Sequence, residues 1–314
     1  MTVSVTGATG FIGSLLVRRL VACGETVRVL TRSRPRASHL PANVGVFVGN
    51  LSSGADLPAA FLEGSDVLYH LAGEIKHPAA MRSLHVEGTR ALVKAAKRRV
   101  AHWVQLSSVG AYGPVRGGIV NEDWALAPQG EYEVTKAESD RLVQEAADKG
   151  ALSCTLLRPS IVFGPGMSNC SLYQLISMVA RRLFFYIGPP GASANYVYVD
   201  NVIDALIACG TLPAAKGRVY NLSDFCTMEQ FVGAISVSLG KPTPSARLPE
   251  LPVRLLARVL GMVPSLPLTE SRVDALTSRA RYPTGRIEKE LGYTHRVSVE
   301  DGVRRLVEYW RDGR

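Results

Sequence analysis

Met1-Thr-Val-Ser-Val-Thr-Gly7-Ala-Thr-Gly10-Phe-Ile-Gly13 opens the chain, and Leu15, Leu16, Leu20 and Val21 follow it at helical spacing. The β-branched run over residues 3–6 reads as a strand, the glycines as a turn and the apolar-periodic stretch as a helix. Each glycine has its own reason. Gly7 makes a turn few side chains permit, Gly10 lets backbone approach a pyrophosphate, and Gly13 lets the helix pack on the strand. Phosphate then sits on unpaired N–H groups at the positive end of the helix dipole. A glycine-rich match alone says little. Flanked by strand and helix, it points to a bound dinucleotide.

The alternation continues along the chain. Strands are expected at residues 26–30, 44–48, 66–71, 103–106 and 152–157, with helices over about 85–97 and 132–149. This rhythm demands a parallel sheet with helices on both faces and ligands at the carboxyl ends of its strands. The expected fold class is α/β: a Rossmann-type doubly wound sheet with a smaller, interleaved C-terminal substrate domain. After residue 166 the rhythm breaks. A helix lies between there and Gly191, a short strand over 196–199, a helix over 202–209 and a strand over 219–222. From Met228 onward short helices and loops carry prolines at 242, 244, 249, 252, 264 and 267. The expected division is a cofactor domain over 1–165 with segments returning at about 196–224. Residues 166–195 and 225–314 make the substrate domain.

With 314 residues the chain can build one large α/β domain and an appendage. A net charge of +9 raises nucleic acid as a partner. The basic residues are scattered over expected helices, and anionic small molecules explain the excess equally well, so no nucleic acid is expected. Cys23, Cys154, Cys170, Cys209 and Cys226 are far apart, odd in number and without metal-ligand spacing. Free thiols in a reducing cytoplasm and no metal are the expectation. The strand at the very start leaves no room for a signal peptide, and no apolar run approaches a membrane span. Two oily but basic segments could rest on a membrane surface. One is 172–187 with Arg181 and Arg182; the other is 251–268 with Arg254 and Arg258. Core helices and lids of a substrate domain read the same way.

Tyr132-Glu-Val-Thr-Lys136 places a phenol and an amine one turn apart on one helix face. A neighbouring ammonium lowers a phenol's pKa, so the phenol can pass a proton near neutral pH. Trp103-Val-Gln-Leu-Ser-Ser108 reads as a buried strand, followed by Val109-Gly-Ala-Tyr-Gly113. With the Gly-x-x-Gly-x-x-Gly spacing, these motifs resemble the extended branch of the short-chain dehydrogenase/reductase superfamily, the NAD-dependent epimerase/dehydratase type. The resemblance covers essentially the whole chain. Its late markers are Tyr198-Val-Asp-Asn-Val202, Tyr220-Asn-Leu222, Leu291-Gly-Tyr293 and the terminal helix with Trp310. It implies a catalytic set of Ser108, Tyr132 and Lys136. Tyr132 exchanges a proton with an alcohol or ketone oxygen, Lys136 binds the nicotinamide ribose, and Ser108 holds the oxygen as charge develops.

The resemblance also implies cofactor contacts along the strand ends. Gly7, Thr9, Gly10, Phe11 and Ile12 belong to the first turn. Leu71, Ala72 and Gly73 belong to the loop backing the cofactor, and Ser107, Tyr132, Lys136, Pro159 and Ile161 to the nicotinamide end. Asn50 and Leu51 stand where Gly-Asp-Leu is usual near the adenine. His85 stands where relatives begin a helix with Asn-Val-x-Gly-Thr, a structural or cofactor-adjacent place rather than a general base. His70 and His77 read as non-catalytic. NAD enzymes grip the ribose 2′-hydroxyl with an acid after strand two. Here Thr31-Arg32 stands there, with Arg34 and Arg36 behind. Arginine holds a 2′-phosphate that an acid would repel, so NADP is expected over NAD.

A reductase or dehydrogenase and an epimerase share this machinery. The C-terminal half most resembles bacterial nucleotide-sugar epimerases and 4-keto-sugar reductases, through 158–166, 195–201 and 272–292. The expected function is hydride transfer at a secondary alcohol or ketone of a nucleotide-sugar, with its diphosphate near Arg181, Arg182, Arg247 and Arg272. Ile161 in place of a frequent Asn, and Ala194-Asn-Tyr196 in place of Arg-Asp-Tyr, depart from that pattern. Steroid dehydrogenases and dihydroflavonol reductases share Arg-Pro-x-x-Val-x-Gly-Pro-Gly and Tyr-Val-Asp-Asn, which keeps a hydrophobic hydroxy or keto substrate as the alternative. A third reading is a non-catalytic NADP-binding relative, usually marked by loss of Tyr or Lys; both are present here. The family implies a homodimer through the helices after strands four and five.

Overall fold

A computed structural model of the chain describes residues 1–53, 57–260 and 270–313. Seven strands make the main sheet: β1 Thr2–Thr6, β2 Thr26–Thr31, β3 Gly45–Val48, β4 Ser65–His70, β5 Val100–Leu106, β6 Cys154–Pro159 and β7 Val219–Leu222. Their order is β7-β6-β5-β4-β1-β2-β3, and every pair is parallel. Successive side chains point to opposite faces. Tyr69, Val104 and Leu157 join one apolar cluster, while their neighbours Leu68, Trp103 and Leu156 join the other. Both faces are therefore covered, as a parallel sheet requires. Strand order reverses between β1 and β4, which opens a crevice at the carboxyl ends beside Gly7.

The stretch expected as one helix over 85–97 is more elaborate. Helix Pro78–Arg82 runs into a π-helical turn, Ser83–Glu87, and then into helix Gly88–Ala96. A Cβ at Gly88 would lie 3.0 Å from the Cβ of Leu51, so the glycine admits that residue close against the helix. The wide turn points His85 inward, where it is buried.

Beyond β6 a small sheet forms. Strand Ile161–Phe163 pairs parallel with Ser193–Tyr198, which pairs antiparallel with Asp224–Thr227. Two short ribbons join Tyr186–Ile187 to Arg247–Leu248 and Gly117–Ile119 to Arg279–Arg281. One apolar cluster runs from Val3 and Val5 through Phe163 and Phe231 to Val303 and Leu306, so the two parts of the chain share a core. The oily segment 172–187 begins as a core helix, Ser171–Ala180, that buries Leu172, Ile176 and Val179. The second oily segment begins as helix Glu250–Leu260; Val253 and Ala257 pack with Ile187 and Val273. Residues 261–268 of that segment, with Pro264 and Pro267, lie outside the described residues. No described helix is long and apolar enough to cross a membrane.

Candidate active site

The glycine turn obeys backbone geometry. Gly7 has φ +71°, and a Cβ there would lie 2.6 Å from the carbonyl carbon of Leu71. A Cβ at Gly13 would lie 2.2 Å from the Gly7 carbonyl oxygen. At Gly10 the nearest atom would be 3.3 Å away, and the residue is exposed. Packing within the protein thus demands Gly7 and Gly13, while the open side of Gly10 is free for a ligand. Gly10 caps helix Phe11–Ala22 without a side-chain acceptor, so the first N–H groups stay uncovered. Thr9, Phe11 and Ile12 are half-buried around this turn, as are Leu71 and Ala72 across from it.

Arg32 is exposed at the carboxyl end of β2. Among the described residues no carboxylate pairs with Arg32, Arg34 or Arg36, which suits them to an anion. Asn50 is exposed, and its side-chain oxygen accepts the Ser52 N–H at 3.1 Å. Its amide donors and the second lone pair of that oxygen are left to a ligand. Leu51 and Pro159 are buried, whereas Ile161 is exposed.

Tyr132 is the second residue of helix Glu131–Asp148. Glu133 caps that helix by accepting the N–H of Gln129 at 3.0 Å and of Gly130 at 3.4 Å. Lys136, one turn on, is buried and donates from Nζ to the Leu106 carbonyl at 2.5 Å. Burial holds its ammonium below the usual lysine range, and Asp140 pulls it back up. Ser108 follows β5, and its hydroxyl accepts the Gly110 N–H at 3.1 Å. Burial pushes the Tyr132 phenol up, the neighbouring Ser108 hydroxyl draws it down, and the Asp140 charge raises it again. This corrects the expectation of a lowered phenol: the Lys136 ammonium is turned to the Leu106 carbonyl, and burial dominates. At neutral pH the site holds a protonated phenol.

His85 is bonded to the protein on both sides of its ring. Its Nε2 accepts the Glu74 N–H at 2.8 Å, so Nδ1 carries the proton and faces Thr135 Oγ1 at 2.8 Å. Both ring nitrogens serve the protein and neither is left for a cofactor. The ring meets Tyr132 edge-on at 5.8 Å. Burial, then the charge of Lys136, lowers its pKa to about 4. Ser107 likewise gives its hydroxyl to Asp140.

Sequence reasoning missed the ionic group behind the site. Asp140 is buried and pairs with Arg158 at 3.5 Å. The available signal was a carboxylate at i+4 from Lys136, on the face the helix buries. It also missed a buried polar chain across the sheet. Thr6 Oγ1 meets His70 Nδ1 at 2.6 Å, and His70 Nε2 meets Thr89 Oγ1 at 3.0 Å. Ser139 Oγ then meets Thr89 at 2.9 Å and accepts from Gln105 at 2.9 Å. The four arginines expected near a diphosphate are not all free. Arg247 pairs with Glu229 at 2.7 Å, Arg272 donates to Gln174 at 2.8 Å, and Arg181 and Arg182 are exposed. Arg281 was not singled out. It lies 4.2 Å over the Phe225 ring, has no carboxylate partner among the described residues, and adjoins Tyr282, stacked on Tyr112.

The family model for the NAD dependent epimerase/dehydratase family matches residues 3–223. Sterol demethylase protein B of Methylococcus capsulatus is 33% identical over 264 residues, covering 79% of this chain and 78% of that one. UDP-glucose 4-epimerase of Mycolicibacterium smegmatis is 28% identical over 337 residues, covering 99% of each chain. The structure of UDP-glucuronic acid 4-epimerase from Bacillus cereus, solved in complex with NAD, aligns over 99% of both chains. Its TM-score is 0.76 at 20% identity, a likeness of fold.

Proposed function

The chain belongs to the NAD dependent epimerase/dehydratase family, and within it we propose hydride transfer at a secondary alcohol or ketone of a nucleotide-sugar, with NADP as the preferred cofactor. The observation that carries the reaction is the helix face holding Tyr132 and Lys136 beside Ser108, at the carboxyl end of β5. When bound, the nicotinamide group supplies or accepts the hydride. Tyr132 exchanges the proton with the substrate oxygen. Ser108 holds that oxygen while charge develops on it. Lys136, fixed by the Leu106 carbonyl, holds a ribose hydroxyl and keeps positive charge at the site. In this reading residues 1–165, with returning segments at about 196–224, bind the cofactor. Residues 166–195 and 225–314 bind the substrate. Cytoplasmic residence and a homodimer belong to the same reading.

Arg32 supports NADP, because it is exposed, with no carboxylate partner among the described residues, at the strand end where the 2′ substituent is read. A charged hydrogen bond contributes about 1.5–3 kcal/mol. Arg32→Ala should therefore weaken NADP binding about tenfold to a hundredfold and leave NAD binding nearly unchanged. Equal affinity of the wild type for NADP and NAD, measured by titration, would remove the preference.

A nucleotide-sugar is supported by the full-length match to the mycobacterial epimerase and by Arg281, a cation over the Phe225 ring with no carboxylate partner among the described residues. A hydrophobic hydroxy or keto substrate is the second reading. It is favoured by the pairing of Arg247 and Arg272 with protein groups and by the likeness to sterol demethylase protein B. Salt separates the two. Phosphate contacts weaken as salt rises, while apolar contacts hold or strengthen. UDP, GDP and dTDP titrated against NADP-loaded protein should include one that binds below millimolar at low salt and loosens at high salt. Binding of a steroid or flavonoid with no nucleoside diphosphate bound would install the second reading.

A further inference from the structure

We propose that Asp140 is a positioning residue that sets the charge state of the Tyr132–Lys136 pair, an inference that rests on the function proposed above. Tyr132, Lys136 and Asp140 fall at i, i+4 and i+8 of helix Glu131–Asp148 and so share one face. Asp140 is fully buried and accepts the Ser107 hydroxyl. Its other partner is Arg158 on β6, Nη2 to Oδ2 at 3.5 Å. Arg158 is itself buried, donates to the Tyr112 hydroxyl at 3.2 Å and lies 5.1 Å over that ring. Tyr112 in turn donates its hydroxyl to Asn221 Oδ1 at 2.8 Å. The carboxylate thus joins the helix, the end of β5, β6 and β7 within one residue of Ser108.

Charge accounts for the rest. Buried ions are costly unless paired. Lys136 and Arg158 are two buried cations, and Asp140 is the carboxylate acting on both. Burial lifts the Asp140 carboxyl above the ordinary range, while Arg158, Lys136 and Ser107 draw it back. The other titratable groups that feel the Lys136 charge are His70 on β4 and His85 in the π-helical turn. Both are lowered and therefore neutral near pH 7, so neither adds a further cation, and a histidine is never a counter-ion to an ammonium; Glu74 faces His85. An ionised Asp140 keeps Lys136 as an ammonium and keeps the Tyr132 phenol protonated. That is the state that gives a proton to a ketone oxygen.

Asp140→Asn keeps size and the Ser107 contact but removes charge; Asp140→Glu keeps charge and changes reach. Tyr132 ionisation is read from phenolate absorbance, each variant against the same variant carrying Tyr132→Phe. This needs neither substrate nor turnover, and cofactor titration with thermal unfolding confirms the fold. Asp140→Asn should bring the phenol midpoint down by about one pH unit or more, and Asp140→Glu should leave it near wild type. A folded Asp140→Asn protein with the wild-type midpoint overturns the proposal. So does an Asp140→Glu protein whose midpoint falls by about one unit, which decides the matter if the Asn variant does not fold. A shifted midpoint in an enzyme that turns over no ketone supports the positioning role and overturns the proposed function instead.

Discussion

Tyr132→Phe is expected to lose turnover by about 10²–10⁴-fold while keeping fold and cofactor affinity, because it removes one proton-bearing oxygen and nothing else. The site has no ready substitute. The Lys136 ammonium is held on the Leu106 carbonyl, both nitrogens of His85 are bonded within the protein, and Ser108 is an alcohol too weakly acidic to replace a phenol. Lys136→Ala should lose turnover as well and also weaken cofactor binding, since a buried ammonium leaves with its hydrogen bonds. Steady-state rates and a cofactor titration distinguish the two variants. A Tyr132→Phe enzyme retaining about a tenth of the wild-type rate would sink this mechanism.

What could be read in the sequence was what rests on local backbone rules. Gly7 and Gly13 announce themselves because any Cβ would strike main chain within a short stretch or in the paired strand loop. Tyr132 and Lys136 are legible because helical spacing alone puts them on one face. The main strands are legible because β-branched and apolar residues cluster in each of them between turn signals. Contacts between distant segments were not legible. Nothing near His85 in sequence says that the Glu74 N–H will occupy its Nε2, or that Leu51 will press on Gly88 beside a π-helical turn. The match of Asp140 to Arg158 depends on helix Glu131–Asp148 lying across β6. The partner of Arg247 is Glu229 because two segments of the C-terminal part converge. Ribbons of two or three residues, such as Tyr186–Ile187 with Arg247–Leu248, are too short for any periodicity to show.

The protein should lose stability steeply as pH falls below about 6.5, with His70 and His85 as the main cause and the buried His102, also lowered by burial, adding to it. His70 and His85 are both buried at 1% exposure. Burial, then the Lys136 charge, takes the His70 pKa down to about 3 and that of His85 to about 4. His70 is held between Thr6 and Thr89, and His85 between Glu74 and Thr135, in contacts a neutral ring satisfies. In the unfolded chain a histidine titrates near 6.5. Above that value neither state carries the extra proton and the stability is fully present. As pH falls from about 6.5 toward 4, only the unfolded chain takes up protons, and each histidine costs about 1.4 kcal/mol per pH unit. The pair together removes on the order of 4 kcal/mol by pH 5, a large share of an ordinary stability of about 5–15 kcal/mol. Melting temperature at pH 7 and pH 5 measures it directly. His85→Gln, whose amide oxygen reaches about as far as the ring's Nε2, can keep the Glu74 contact without titrating, so its melting temperature should fall less over the same interval. A wild-type melting temperature that is flat from pH 7 to pH 5 would mean that the two rings are charged, or free to become so, inside the folded protein. The hydrogen bonds that make His85 a clamp rather than a base would then have to be reassigned.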